Sequence, residues 1–190
     1  MPESRARSSL STLRAPRATI PCVFRSPLAY HITFGTYGTR LHGDARGTVD
    51  RSMNRPGDPI IGADPAWWEM ERKKLRFEPV IFTPEQMCYA ELMMPAVCAR
   101  GGWDFRTGAG GPDHAHVVLR ADAEGDAVRK WFKRWLGEAL SEKWPRPEGA
   151  TWWAEGGSVK WVWTDGYYHA VYGYVDGQRA SGPYVRGSGQ

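Results

Sequence analysis

The sequence is poor in cysteine and has no long apolar run, and both features narrow the classes of protein open to it. Cys22, Cys88 and Cys98 are the three cysteines among 190 residues. An odd number without the spacing of metal ligands predicts no disulfide framework and indicates a reducing compartment. No apolar stretch approaches the ~20 residues that span a bilayer. We therefore expect a globular protein that neither depends on disulfides nor crosses a membrane.

Excess charge is missing from most of the chain. The formal net charge is +4, yet residues 1–27 hold five arginines and one acidic residue, which leaves 20 basic and 20 acidic side chains in residues 28–190. Any anion-binding surface on this neutral body must therefore be local. We predict that residues 1–27 form a disordered basic arm, that one domain covers residues 28–180, and that residues 181–190 form a flexible tail.

What the chain does contain is a closely spaced pair of histidines. Residues 113–119, with the sequence DHAHVVL, predict a turn followed by a short apolar strand. Successive side chains of a strand alternate between faces, so His114 and His116 should point the same way. Two imidazoles on one face of a strand make half of a metal site. Taken alone, such a pair is more often two satisfied surface histidines.

Other patterns predict a mixture of strands and helices around this pair. Residues 30–37 and 158–164 alternate as strands, and residues 103–106 should form a hairpin with the histidine strand through a glycine-rich turn at 108–112. Caps and apolar periodicity predict helices beginning near Asp64, Thr83 and Val128. A long irregular connection is expected over residues 38–63, between the first strand and the first helix.

The most periodic helix has an apolar stripe and a basic face. The stripe, which includes Val128, Phe132 and Leu136, predicts packing against a core. The other face carries four basic residues: Arg129, Lys130, Lys133 and Arg134. The sequence does not decide whether this face binds phosphates of a nucleic acid or is simply solvated.

A terminal helix is predicted from about Tyr167 to Ala180, and it carries a second candidate group. Tyr174 and Gln178 are four residues apart and therefore lie on one face of a helix. A divalent cation held by two imidazoles and an amide oxygen would polarise a phosphodiester, and a phenol is a better nucleophile beside a cation. Tyr174 is thus the candidate nucleophile and Gln178 a candidate metal ligand. Tyr172 is the reserve nucleophile. It is disfavoured because the residue four positions on is Asp176, although a carboxylate could also bind a metal.

Four stretches together carry a resemblance to a known family. His114-Ala115-His116, followed by two valines, resembles the histidine-hydrophobic-histidine (HUH) motif of single-tyrosine transposases, which include the REP-associated group. Residues 174–178 resemble the catalytic helix of that family, in which a tyrosine is followed four residues later by a Gln or Asn metal ligand. Residues 30–34 resemble its opening strand and residues 156–161 the stretch before its final helix. The likeness covers residues 28–180 in the correct order.

The resemblance implies an α+β, ferredoxin-like fold with a central antiparallel sheet and both histidines on a middle strand. It implies a transposase or related single-stranded DNA endonuclease that cleaves and rejoins single-stranded or hairpin DNA through a 5′-phosphotyrosine intermediate. Tyr174, His114 and His116 would be catalytic, and His114, His116 and Gln178 would hold Mg²⁺ or Mn²⁺. It further implies a homodimer, in which the catalytic helix can serve the partner's histidines, and a bacterial cytoplasmic location, at the nucleoid when DNA is bound.

Two other functions stay open at the level of sequence. One is a domesticated, non-catalytic DNA-binding module of the same fold, although every proposed site residue is present. The other is a 2H-type RNA phosphoesterase, a class that pairs two His-x-Thr/Ser motifs. His31-Ile32-Thr33 would supply one motif, whereas His114-Ala115-His116 lacks the hydroxyl of the second. Metal-independent activity would favour this last class.

Overall fold

A computed structural model describes residues 26–47 and 62–182 of the chain. Most of the predicted basic arm, the middle of the predicted 38–63 connection and most of the predicted tail lie outside the described residues. No helix in the described part is long and apolar enough to cross a membrane. The elements follow in the order β1 (Ala29–Gly35), α1 (Pro65–Lys73), α2 (Pro84–Arg100), β2 (Asp104–Gly110), β3 (His114–Arg120), α3 (Gly125–Lys143), β4 (Ser158–Val162) and α4 (Asp165–Asp176).

The strands form one sheet in the order β2-β3-β1-β4, and all neighbouring strands are antiparallel. Helix α2 connects β1 to β2 across the sheet, and α3 connects β3 to β4 in the same way. Two such interleaved β-α-β units define a ferredoxin-like arrangement. The predicted α+β fold is therefore confirmed, and both histidines of the motif lie on β3, a central strand.

The alternation of side chains along the strands gives the sheet two different faces. Ile32 and Phe34 of β1, with Ala115 and Val117 of β3, pack in a large core with apolar residues of α2 and α3. A smaller cluster lies on the opposite face, where α4 packs against the sheet through Val171 and Val175. His114 and His116 alternate with Ala115 and Val117, so they belong to the face under α4.

The start of α2 follows the prediction from its sequence. The Thr83 hydroxyl accepts a hydrogen bond from the Gln86 amide at 3.2 Å, and the Gln86 side chain accepts one from the Thr83 amide at 3.0 Å. This reciprocal pair is a capping box, and Pro84 occupies the first helical position. Pro95 lies inside the helix, which continues to Arg100.

The glycine-rich stretch after β2 departs from the prediction. Residues 108–110, expected to be part of a turn, continue β2 and pair with β3, where Ala109 lies opposite His116. Helix α2 packs so closely on this strand that a Cβ on Gly108 would overlap the Met94 sulfur, and one on Gly110 would lie 2.9 Å from the Met87 carbonyl oxygen. Glycine is therefore required by close packing here, and the pattern alone was wrongly interpreted as a turn.

Helix α4 begins at Asp165, two residues before the predicted Tyr167, and it also ends earlier than predicted. Thr164 caps its first turn by accepting a hydrogen bond from the Tyr167 amide at 3.3 Å. The helix ends at Asp176, four residues before the predicted Ala180, and Gln178 therefore lies beyond it. The amides of Ala180 and Ser181 turn away from helical partners because they donate to the buried carboxylate of Glu91, at 2.8 and 3.0 Å.

Candidate functional site

The floor of the candidate site is built from three adjacent strands. Ser158 of β4, Thr33 of β1 and His116 of β3 lie directly opposite one another in the register of the sheet. Lys160 of β4 lies opposite His31 of β1 in the next row on the same face. Residues two apart on a strand share a face, so these five side chains all point toward α4.

Helix α4 forms the wall of the site. Its residues Tyr167, Ala170, Val171 and Tyr174 recur at helical spacing and therefore face the sheet together. Between helix and sheet lies a cleft of about 500 Å³, here called the histidine cleft, lined by His31, Thr33, His116, Ser158, Lys160, Tyr167, Ala170, Val171 and Tyr174. None of these lining residues is acidic, and Lys160 is the one with a permanent positive charge. The chemistry of the cleft therefore favours an anion.

The two buried histidines are joined to each other and to Thr33. His116 Nδ1 lies 2.8 Å from the Thr33 hydroxyl and 3.2 Å from His31 Nε2. Burial, with Lys160 nearby, lowers the pKa of His31 to about 4. Burial, with His114, His31 and Lys160 nearby, lowers the pKa of His116 to about 3. Both rings are therefore neutral at pH 7, which is the form of imidazole that binds metals.

His114 is oriented by the residue that precedes it. Its Nδ1 lies 2.6 Å from Asp113 Oδ1, while the other carboxylate oxygen contacts Arg46 at 2.5 Å and Arg40 at 3.4 Å. Burial opposes ionisation of Asp113, but the hydrogen bonds from His114 and Arg46 lower its pKa below the usual value. A carboxylate on one ring nitrogen leaves the other, Nε2, to bind a metal.

Tyr174 lies against the buried histidines. Its ring centroid is 5.7 Å from that of His116 and 6.3 Å from that of His31, with the rings edge to face in both pairs. The centroids of His114 and His116 are 4.8 Å apart. Tyr174 is also 58% exposed, so its phenol can be reached from solvent. The structure thus brings the predicted nucleophile to the HUH motif of its own chain.

Gln178 is not brought to the histidines in the same way. It is exposed, it is not among the residues that line the histidine cleft, and its side-chain nitrogen donates to the Tyr174 carbonyl at 3.4 Å. Within the described residues, no group of three or more His, Cys, Asp or Glu side chains is placed to hold a metal ion. The Nδ1 atoms of His116 and His114 are engaged by Thr33 and Asp113, and two imidazoles held in this way nevertheless fit a divalent cation whose remaining ligands are amide or water oxygens.

The four basic residues of α3 lie on the other face of the sheet from the histidines. Lys133 donates to the carbonyls of Ala154, Glu155 and Gly156 at 2.5 to 3.1 Å. Arg129 donates to the Gly157 carbonyl, so both residues hold the loop before β4. Arg134 pairs with Glu138 at 3.0 Å, and Lys130 is exposed. DNA binding by this face remains a prediction, and none of the four lines the histidine cleft.

The sequence left out several residues that the fold brings to the site. His31 and Thr33 were considered only for the RNA phosphoesterase, and Lys160 and Asp113 were given no role of their own. The alternation of side chains along β1 and β4 indicates which residues share a face, but not which strands are neighbours. His31 and His116 are 85 positions apart in the chain, so their contact can be known only from the order of the strands in the sheet.

Comparison with known proteins adds one distant likeness. No protein-family model matches the chain, and no curated protein matches it. Among the solved structures that match is a putative transposase from Deinococcus radiodurans R1, with 14% sequence identity and a TM-score of 0.43. The match covers 88% of this chain and 98% of that chain. A likeness at this level carries no argument about activity.

Proposed function

We propose that this protein is a metal-dependent endonuclease that cleaves and rejoins single-stranded DNA through Tyr174, as in DNA transposition. The single observation that carries the proposal is the contact of Tyr174 with His116, at 5.7 Å between ring centroids, in a cleft without acidic residues. A side chain that attacks a phosphodiester must lie in a site that does not repel negative charge, because the substrate and the transition state are both negatively charged.

The reaction would proceed by direct displacement at phosphorus. The bond from Tyr174 Oη to phosphorus forms while the bond from phosphorus to the 3′ oxygen breaks, and the phenolic proton passes to water. The departing oxygen takes up a proton and becomes a 3′-hydroxyl, and the 5′-phosphate stays on the tyrosine. Because the covalent link conserves the phosphodiester energy, the reverse attack by a 3′-hydroxyl rejoins a strand.

His114 and His116 are the residues that would hold the metal, with Gln178 as the proposed third ligand. A bound Mg²⁺ or Mn²⁺ would supply Lewis-acid stabilisation of the charge on the phosphate. The neutral state of the His116 ring and the orientation of His114 by Asp113 support this assignment. Gln178 would have to bring its side-chain oxygen to the histidines, because in the structure its side-chain nitrogen donates to the Tyr174 carbonyl and the residue does not line the cleft.

A covalent-capture experiment tests the proposal. The protein is incubated with Mn²⁺ and labelled single-stranded hairpin DNA drawn from the sequence that flanks its own gene, and the products are separated on a denaturing gel. We expect a protein–DNA adduct that disappears with a chelator and in Tyr174→Phe. Tyr172→Phe, a matched change two residues away, should keep the adduct. Loss of the adduct in Tyr172→Phe alone would reassign the nucleophile to the reserve residue.

Two other outcomes would replace the proposal. If the protein binds hairpin DNA but cleaves none of the hairpins tested, the result would support the non-catalytic DNA-binding module. Hydrolysis of RNA without an adduct and in the presence of a chelator would support the 2H-type phosphoesterase. One observation favours this second candidate: His31 and Thr33 both contact His116, with Thr33 Oγ1 also 3.4 Å from His31 Nε2, so a His-x-Thr motif faces the HUH motif. Acid–base catalysis by two histidines needs no metal, but one of the two rings would have to be protonated to act as the acid.

A further inference from the structure

Lys160 is a cation without a carboxylate partner in the histidine cleft. It lies on β4 opposite His31, and it makes no ion pair within residues 26–47 and 62–182. Lys74 and Lys143, by contrast, pair with Glu71 and Glu85, and they lie at the C-terminal ends of α1 and α3, away from the cleft. An unpaired ammonium in an acid-free cleft attracts an anion.

Hydroxyl groups lie beside this ammonium. Ser158 is two residues before Lys160 on the same strand and the same face, and it also lines the cleft. Residues two apart on a strand are separated by roughly 7 Å, a span that the oxygens of one phosphate group and a flexible lysine can bridge. Thr33, opposite Ser158, is already engaged by His116 at 2.8 Å, so of these two neighbouring hydroxyls Ser158 is the one left for a ligand.

We propose that Lys160 and Ser158 form a phosphate subsite that binds the non-bridging oxygens of the phosphodiester that Tyr174 attacks. The proposal rests on the proposed function for the identity of the attacked bond, but the subsite itself requires only a phosphodiester in the cleft. Lysine binds phosphate as a point charge, without bidentate geometry. The contact is therefore independent of base sequence and positions the backbone of a single strand against Tyr174.

The contact also has a catalytic consequence. Negative charge is redistributed over the non-bridging oxygens as the phenol attacks. The ammonium of Lys160 stabilises that charge in the transition state. Removal of one such donor typically lowers kcat by about 100-fold or more. Lys160→Met, which keeps the length of the side chain and removes the charge, should therefore lower the rate of adduct formation by roughly that factor. Lys160→Arg should restore most of it, because the charge returns.

The decisive test is of binding and does not depend on cleavage. All variants are made in a Tyr174→Phe background, and the affinity for a short single-stranded oligonucleotide is measured over a range of salt concentrations. Loss of one phosphate contact should reduce the slope of log K against log salt by about 0.7 for single strands in Lys160→Met. Lys73→Met, a change at the exposed end of α1, is the control and should keep the slope.

A second measurement locates the contact on the DNA. A series of oligonucleotides, each with one neutral methylphosphonate linkage, is titrated against the Tyr174→Phe protein and against the same protein with Lys160→Met. The first protein should lose affinity at one particular linkage, and the second should show no loss there, since the partner charge is already gone. Ser158→Ala should weaken binding in the same direction and by less, because a neutral hydroxyl is a weaker partner than an ammonium.

The outcomes separate this proposal from the proposed function. An unchanged salt slope and an unchanged linkage profile in folded Lys160→Met would overturn the subsite, whether or not the parent protein cleaves DNA. An equal loss in Lys73→Met would also overturn it, because the effect would then be one of net charge. A reduced slope with the linkage effect abolished supports the subsite. If that occurs in a protein that never forms an adduct, the subsite stands and the endonuclease fails. Lys160→Arg guards against misfolding, since it must recover the slope.

Discussion

At the scale of single residues, His114 depends on a neighbour whose carboxylate is shared with two arginines. Asp113 Oδ1 lies 2.6 Å from His114 Nδ1, and Asp113 Oδ2 contacts Arg46 and Arg40. Arg46 also pairs with Asp44 at 2.8 Å, and Asp44 holds its pKa near 2 mainly through the hydrogen bond from Arg46. The ring is thus fixed by a charged network that reaches into the loop after β1.

We expect Asp113→Ala to weaken Mn²⁺ binding by about 10- to 100-fold, because partners that orient ligating histidines contribute that much to affinity. Asp113→Asn should lose less, since the amide oxygen can still accept from the His114 ring. Titration calorimetry with Mn²⁺ measures the change, and Asp122→Ala, at an exposed aspartate, is the control. Equal Mn²⁺ affinity in parent and Asp113→Ala would remove Asp113 from the site.

The buried imidazoles predict a particular dependence of stability on pH. Burial above all, together with Lys160, lowers the pKa of His31 to about 4, and burial with neighbouring charges lowers that of His116 to about 3. In the unfolded chain both return to about 6.5. Between these values the unfolded chain binds more protons, so stability is fully present above pH 6.5 and falls as the pH falls toward 4. The folding constant should change up to roughly tenfold per pH unit for each histidine.

Urea unfolding with a chelator at pH 7 and at pH 5 checks this prediction. The parent protein should be less stable at pH 5, and His31→Gln should show a smaller loss because one titrating group is gone. His169→Gln, at an exposed histidine of α4, should behave like the parent. The account fails if the loss of stability is the same in His31→Gln as in the parent.

At the scale of elements, the segment after α4 is held by one buried carboxylate from α2. The Glu91 side chain is fully buried and accepts hydrogen bonds from the amides of Gly110, Ala180 and Ser181 at 2.8 to 3.0 Å, and from the Ser181 hydroxyl. Arg179 lies at 3.9 Å and donates to the Gly108 carbonyl at 3.0 Å. Glu91 therefore fixes where α4 ends, and with it the position of Gln178 beyond the helix.

We expect Glu91→Gln to lower the free energy of unfolding by about 2–4 kcal/mol, since an amide nitrogen would face backbone donors in a buried place. Hydrogen exchange should increase most in residues 179–182 and in α4. The matched control is Glu138→Gln, which removes a carboxylate paired with Arg100 and Arg134 at the surface and should cost less than about 1 kcal/mol. A uniform rise in exchange across the molecule would argue against a local anchor.

The helices and strands also show how much of the structure can be predicted from the sequence. The capping box at Thr83 and the alternation around His114 predict their elements because the deciding contacts are local. The end of α4 and the extent of β2 could not be predicted, since Glu91 and Met94 act on them from α2. The candidate site divides in the same way. Spacing and resemblance predict Tyr174 and the HUH motif. The places of Lys160 and His31 in the site could not be predicted, because they depend on the order of the strands in the sheet.

At the scale of the whole molecule, the sheet separates two kinds of surface. The face under α4 carries the histidines, Lys160 and Tyr174, whereas the basic residues of α3 lie on the other side. Two of these, Arg129 and Lys133, hold the loop that leads into β4. A strand of DNA bound at both places would have to pass around an edge of the sheet. The β4 edge is the shorter route, because Lys160 and that loop adjoin it.

The assembly of the site predicts the result of mixing two inactive variants. The resemblance allows a dimer in which α4 serves the partner's histidines. In this chain, however, Tyr174 contacts its own His116, Asp176 accepts from Thr107 of β2 at 3.1 Å, and Glu91 anchors the residues that follow. An α4 held on its own sheet at Tyr174 and at the residues that follow it favours assembly within one chain. We therefore expect a mixture of Tyr174→Phe and His116→Ala proteins to form no adduct with hairpin DNA.

The mixing experiment is informative only against the right references. The two variants are unfolded together and refolded, so that any dimers can form from both chains, and adduct formation is compared with parent protein treated in the same way. Each variant alone must be inactive. Recovery of part of the parental activity would mean that α4 is exchanged between chains. In that case Glu91→Gln should increase the recovery when it is added to both variants, because the anchor that keeps α4 on its own sheet would be weakened.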